Sequence, residues 1–151
     1  MSDGPNRPPS GNTTELLGLA NSALGHQIVT GVMTAGYPLR AAHSAVFAHI
    51  DLAGTRPGEL ARRANMTPQA MGELVDDLER LRYVNRRPDP TDRRAKLIVL
   101  TPRGLASVQA AHRTIAGIES QLTDLLGERR LSQLQRALHD IINHEDRGRR
   151  P

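Results

Sequence analysis

Between Arg82 and Arg103 the sequence carries seven basic residues, Arg82, Arg86, Arg87, Arg93, Arg94, Lys96 and Arg103, against only Asp89 and Asp92. Guanidinium and ammonium groups at this density can donate to phosphate oxygens, and an arginine on a projecting loop can enter a narrow minor groove. The same run could also be a solvated charged edge that discourages strand aggregation. Just upstream, Thr67-Pro68 is a helix start: a threonine oxygen can accept from free first-turn amides, and proline is tolerated at the first helical position. The helix that follows places Ala70, Met71, Leu74, Val75, Leu78 and Leu81 on one face. Pro68, Gln69, Gly72, Glu73 and Asp76 fall on the other, which points outward.

Other chemistry is sparse. Six histidines, His26, His43, His49, His112, His139 and His144, invite a metal or pH-sensing reading, but none stands three or four residues from another, the spacing helical metal sites draw on. Surface or packed histidine is the plainer reading. No nucleophile paired with a base, glycine-rich phosphate loop, metal motif or cofactor motif is present, so an enzyme is not expected. The absence of cysteine excludes disulfides, thiolate zinc sites and thiol-based peroxide sensing.

The elements that must position the basic run are mostly helical. The aromatic residues are Tyr37, Phe47 and Tyr83, so the core must come from aliphatic residues and Met, which favours packed helices. Apolar residues one turn apart predict helices from Thr13 or Thr14 to Gly36, from Leu39 through Ile50, from Pro57 to Ala64, and from Thr67 onward. Tyr83-Val84 and Lys96 to Thr101 read as short strands joined by a long turn-rich tip, Pro88 to Ala95. Thr101-Pro102 then opens a long helix ending at Gly127, and a last helix carries Leu131, Leu134, Leu138, Ile141 and Ile142. Residues 1–12, rich in Pro, Gly, Ser and Asn, read as a disordered arm, and 145–151 as a flexible basic tail.

The expected fold class is mainly α with a small β-hairpin. A short helix, a turn at Asn65-Met66 and a capped helix with an outward polar face form the arrangement that lets a second helix enter the major groove. Charge agrees with a polyanionic partner. The net charge is +4, the isoelectric point about 10.6, and residues 54–104 hold 11 Lys and Arg against 7 Asp and Glu, leaving 9 against 9 elsewhere. No leader or membrane-spanning run is visible, so a cytoplasmic location is the default expectation. Leu16 to Val32, Leu105 to Leu125 and Leu131 to Ile142 carry more apolar stripe than one small domain covers. A second copy or a purely intramolecular bundle could cover it.

The run Asp89-Pro90-Thr91-Asp92-Arg93-Arg94-Ala95-Lys96-Leu97, followed by Leu100-Thr101-Pro102-Arg103-Gly104, resembles the wing of multiple-antibiotic-resistance-regulator (MarR) proteins. Glu59-Leu60-Ala61 through Thr67 to Leu78-Glu79 resembles their helix-turn-helix, and the order of helices fits from about residue 14 to 144. The resemblance implies a winged helix-turn-helix over 37–101, flanked by dimerisation helices at 13–36 and 102–144. It implies a transcriptional regulator, acting as a ligand-responsive repressor on double-stranded DNA as a homodimer, rather than a helical protein-interaction scaffold or a small hydrolase.

Residue by residue, the resemblance implies that Arg94 reaches the minor groove and that Asp92 helps hold it. It places Thr67, Pro68, Gln69, Gly72 and Glu73 at the start of the recognition helix, and Arg86, Arg87, Arg93 and Lys96 along the wing. Glutamine can pair two ways with adenine, and glutamate can accept from a cytosine amino group. It also implies a pocket between the dimerisation helices and the winged module, where Tyr37, Arg40 and His43 could serve a small anionic aromatic effector. Two positions depart from the family pattern. Many relatives carry a basic residue where Glu73 stands, and most have Gly where Arg82 closes the recognition helix. Either the turn at Arg82 is rebuilt, or its side chain compensates through phosphate contact.

Overall fold

The computed structural model describes residues 11–148, so the arm expected at 1–12 lies outside the described residues but for Gly11 and Asn12, as do 149–151 of the expected tail. The order is α1 (Thr13–Thr34), a 3-10 turn (Ala41–His43), α2 (Ser44–Phe47), α3 (Pro57–Arg63), α4 (Pro68–Arg80), β1 (Val84–Asp89), β2 (Asp92–Leu100), α5 (Pro102–Leu126) and α6 (Glu128–Gly148). Two compact units divide at Thr114 and Ile115, within the continuous helix α5.

Two elements depart from the expectation. The helix predicted over Leu39 to Ile50 is only the 3-10 turn and α2, because Arg40 is extended, with ψ 154°, and serves as the N-cap of the turn. The wing is longer than its sequence suggests. Its strands run to Asp89 and from Asp92, and only Pro90-Thr91 connects them, in place of the eight-residue tip expected from Pro88 to Ala95. Apart from the buried Asp89 the outer hairpin residues are mostly exposed, so it shows no apolar alternation, and Pro88 is tolerated because it lies on β1, which pairs only with β2.

The helix boundaries follow from capping. Asn12 accepts from the Glu15 amide and Thr67 from the Ala70 amide, which explains where α1 and α4 begin. Helices α1, α3 and α4 end alike, each on a left-handed residue, Gly36 (φ 92°), Asn65 (φ 52°) or Arg82 (φ 63°). At the end of α4 the Tyr83 amide donates to Leu78 O at 2.9 Å and the Arg82 amide to Glu79 O at 2.9 Å, the paired bonds of a Schellman motif. The turn at Arg82 is therefore not rebuilt: arginine occupies the glycine conformation.

The winged module surrounds a buried cluster of Val46, Leu60, Ala61, Met71, Val75, Leu78, Tyr83, Val84 and Ile98. Tyr83 is its junction. Its ring lies edge-on to Tyr37 and Phe47 at 6.5 and 6.2 Å, and the Arg103 guanidinium sits over it at 4.8 Å while donating to the hydroxyl at 3.1 Å. Its carbonyl accepts from the Thr101 amide, and Thr101 Oγ1 caps α5 through the Gly104 amide at 3.0 Å. A Cβ on Gly104 would stand 2.0 Å from that carbonyl, so only glycine lets α5 approach so closely.

The long helices keep apolar surface exposed. Only Val32 of α1 is buried, while Leu16 and Leu19 are 54% and 62% exposed. In α5, Ile118 is buried but Leu125 is 74% exposed, and in α6 Leu131 is buried but Ile142 is 57% exposed.

The left-handed arginine yields a stability prediction. Arg82→Gly should raise the unfolding free energy by about 0.5 to 1 kcal/mol, read as a higher urea midpoint at unchanged slope. A lower midpoint would mean that the Arg82 side chain stabilises the helix end by more than its backbone costs.

Candidate nucleic-acid interface

Helix α4 starts with Thr67, Pro68 and Gln69 exposed, and Gly72 faces open space that a Cβ would not fill. The Gln69 amide donates to Glu73 Oε1 at 3.4 Å, so the two side chains expected to face bases lie together, one turn apart. Glu73 thus has a local use: its carboxylate orients the Gln69 amide.

The rest of α4 is acidic, and four basic side chains answer it. Asp77 accepts from His43 Nε2 at 2.8 Å and is bonded to Arg40 and Arg80. His43 is 1% exposed, and its Nδ1 accepts from the Arg40 amide at 3.1 Å, which leaves Nε2–H to donate to Asp77. These contacts, His43 foremost and then Arg40, lower the Asp77 pKa from 3.8 to about 2. Asp76 and Glu79 are taken up by Arg86, whose Nη2 lies 2.6 Å from Asp76 and whose Nη1 is bonded to Glu79, with its amide donating to Glu79 at 3.1 Å. Arg86 therefore braces β1 against α4 instead of standing free.

Along the wing, Arg87, Arg93, Arg94 and Lys96 are exposed, and none of their charged groups is paired within the described residues. Asp92 Oδ1 accepts from the Arg94 amide at 3.0 Å, so Asp92 holds the backbone of the tip rather than the guanidinium. Asp89 is the buried acid. It accepts from the Thr91 amide and hydroxyl at 2.8 and 2.7 Å and from Arg56 at 2.8 and 2.7 Å. Thr91 first, and then Arg56, holds its pKa down from 3.8 to about 2. At the base, Thr55 bridges backbone to backbone with Ile98 at 3.0 and 2.9 Å.

Arg56, Thr91 and the partnerships of Asp77 and Asp89 were not visible in the sequence as site features. The Asp89-Pro90-Thr91 turn has a local signal, an aspartate two residues before a threonine. Arg56 has none, because Asp89 lies 33 residues away, and of the partners of Asp77 only Arg80 is local, while His43 and Arg40 lie 34 and 37 residues away. Of the expected effector residues, Tyr37 is half-buried, His43 is sealed in, and Arg40 is exposed with its guanidinium on Asp77.

Residues 37–95 match the model of the MarR family. The fold of the chain is that of the MarR-type winged helix-turn-helix proteins. Its fold matches wild-type MarR from E. coli in the apo form with a TM-score of 0.69 at 21% identity, covering 86% of this chain and 96% of that one. A mutant of E. coli MarR complexed with operator DNA matches at 0.70 and 21%, covering 85% and 91%. CouR from Rhodococcus jostii RHA1, bound to p-coumaroyl-CoA, matches at 0.70 and 23%, covering 87% and 92%. None of the curated proteins matches. No cluster of three or more His, Cys, Asp or Glu among the described residues could hold a metal, and no described helix is long and apolar enough to cross a membrane.

The depressed carboxylates predict acid sensitivity. Asp77 and Asp89 lie near 2 in the folded chain against 3.8 unfolded. The stability they contribute is therefore complete above the unfolded value and is lost as pH falls through the folded one. Urea midpoints should drop on acidification across that window, and Asp89→Asn should start lower and drop less. Parallel curves for parent and variant would remove Asp89 from this account.

Proposed function

We propose that this chain is a sequence-specific DNA-binding transcriptional regulator, a ligand-responsive repressor that acts as a homodimer on a pseudo-palindromic operator. The observation that carries the reading is the contrast among its charges. Asp76, Asp77 and Glu79 of α4 are neutralised from within by Arg40, Arg80 and Arg86, whereas Arg87, Arg93, Arg94 and Lys96 on the wing have no charge partner among the described residues. A solvated charged edge needs no such sorting. A surface that lays a capped polar helix and a free cationic hairpin against a polyanion does.

The exposed apolar stripes of α1, α5 and α6 support a dimer, since Leu16, Leu125 and Ile142 gain nothing from water. A two-fold pair presents two α4 helices, so half-sites should lie about 10 base pairs apart on one face of the duplex. A helical scaffold would use the stripes but not the free cations, and a hydrolase would need a reactive pair that the site does not contain.

In this reading the wing contributes affinity and α4 contributes specificity. Arg94→Ala should weaken binding to operator and random duplexes alike and reduce the salt slope by about one phosphate contact. Gln69→Ala should cost about 1 to 3 kcal/mol on the operator and little on random DNA. Fluorescence anisotropy on both duplexes over a range of salt measures each effect. If neither variant differs from the parent, the DNA-reading surface lies elsewhere.

For the effector, the supporting observation is that exposed Arg40 and buried His43 both hold Asp77 of α4. An aromatic carboxylate that recruits the Arg40 guanidinium competes with Asp77 for it, and so acts differently on the two arrangements of α4, as any population shift requires. Such a ligand should lower DNA affinity in the parent, while Arg40→Ala should bind DNA without responding to it. A normal response in that variant would dismiss this site.

A further inference from the structure

We propose that Arg56, whose Nε and Nη2 both meet Asp89 Oδ2, is a positioning residue that holds the wing tip at the angle from which Arg93 and Arg94 meet DNA; this rests on the regulator reading above. Asp89 is 5% exposed, although Pro88, Pro90, Thr91 and Asp92 around it are all exposed. All four of its strong contacts are used. Oδ1 takes the Thr91 amide and hydroxyl at 2.8 and 2.7 Å, and Oδ2 takes Arg56 Nε and Nη2 at 2.8 and 2.7 Å. The second guanidinium nitrogen also lies 3.9 Å from Asp92 Oδ2. Asp92 in turn holds the Arg94 amide. A continuous path of polar contacts therefore runs from the start of α3 to the backbone of the tip arginine.

Arg56 occupies the N-cap position of α3, where Ser, Thr, Asp or Asn would satisfy a free amide, and its side chain makes no capping bond. The position gives up a cap and reaches the wing instead. Its neighbour Thr55 is bridged by backbone to Ile98, so the start of α3 supports the hairpin at two heights, at the base through Thr55 and near the tip through Arg56. Beyond Ile98 the hairpin has no core of its own, and an isolated two-stranded hairpin is marginal in water. A planar guanidinium fork fixes direction as well as distance, which a lysine cannot do. The arrangement also separates two kinds of arginine: Arg56 is committed to carboxylates, while Arg93 and Arg94 keep their charge for an outside partner.

The test pairs amide hydrogen exchange on the free full-length protein with salt-dependent binding to duplex DNA. Parent, Asp89→Asn, Thr91→Val and Arg56→Lys are each measured with and without Arg94→Ala. Asp89→Asn and Arg56→Lys should speed exchange at the Arg93 and Arg94 amides while Val75 and Leu78 keep their protection. The drop of about one in salt slope that Arg94→Ala causes in the parent should vanish in both backgrounds, because a misaimed arginine has no contact to lose. Thr91→Val keeps the charge pair and should show a smaller version of both effects. It decides the matter if Asp89→Asn does not fold. An additive result, with Arg94→Ala lowering the slope equally in every background, or unchanged exchange at the tip, overturns the proposal. A parent that binds no duplex with salt dependence overturns the regulator reading and the DNA side of this one together. Unchanged tip exchange with normal DNA binding overturns this one alone.

Discussion

The structure of the winged module depends on the burial of one tyrosine at the point where α4 ends. Tyr83 has no exposed surface, and its amide closes the Schellman turn on Leu78 while its carbonyl receives Thr101 at the start of α5. Its ring packs against Tyr37 and Phe47 and lies beneath Arg103. One residue thereby sets the direction of α4, of β1 and of the start of α5. The left-handed Arg82 and the cramped Gly104 are consequences: the chain must turn sharply to bury Tyr83, and α5 must pass against its carbonyl.

From that geometry follows an electrostatic problem with a local solution. Helix α4, whose polar start is exposed, carries Glu73, Asp76, Asp77 and Glu79. Left uncompensated, these would repel phosphate at close range, where screening is weak. The fold brings a basic group to three of the four. Arg86 arrives from β1, Arg40 and His43 from the segment before α2, and Arg80 from the next turn of α4 itself. Glu73 is left to the Gln69 amide. The net effect is a helix α4 whose charge is quenched along its length and whose polar start remains open.

The wing shows the complementary choice. Its two carboxylates are spent on geometry, Asp89 on the turn and Arg56, and Asp92 on the Arg94 amide, rather than on neutralising the cations beside them. Acids that hold backbone and bases that stay free give a projecting element both shape and charge. The same economy of contacts explains why the hairpin persists as a strand pair through Pro88, although few of its outer residues bury any surface.

By itself the sequence determined what depends on neighbours a turn away. Thr67-Pro68 and Thr101-Pro102 marked the starts of α4 and α5, Gly36 and Gly127 the ends of α1 and α5, and the periodic Met71, Val75 and Leu78 the buried face of α4. Capping bonds and helical periodicity act within a few residues, so they are legible without a fold. The wing motif was legible as a pattern, though its strands were not, because exposed residues on both faces carry no alternation. Only tertiary structure decided the pairings on which the site turns: His43 and Arg40 with Asp77, Arg86 with Asp76 and Glu79, Arg56 with Asp89. Each joins residues separated by 7 to 37 positions and belonging to different elements. The direction of a charged side chain across such a distance is set by the packing that brings the elements together, and no local propensity encodes it.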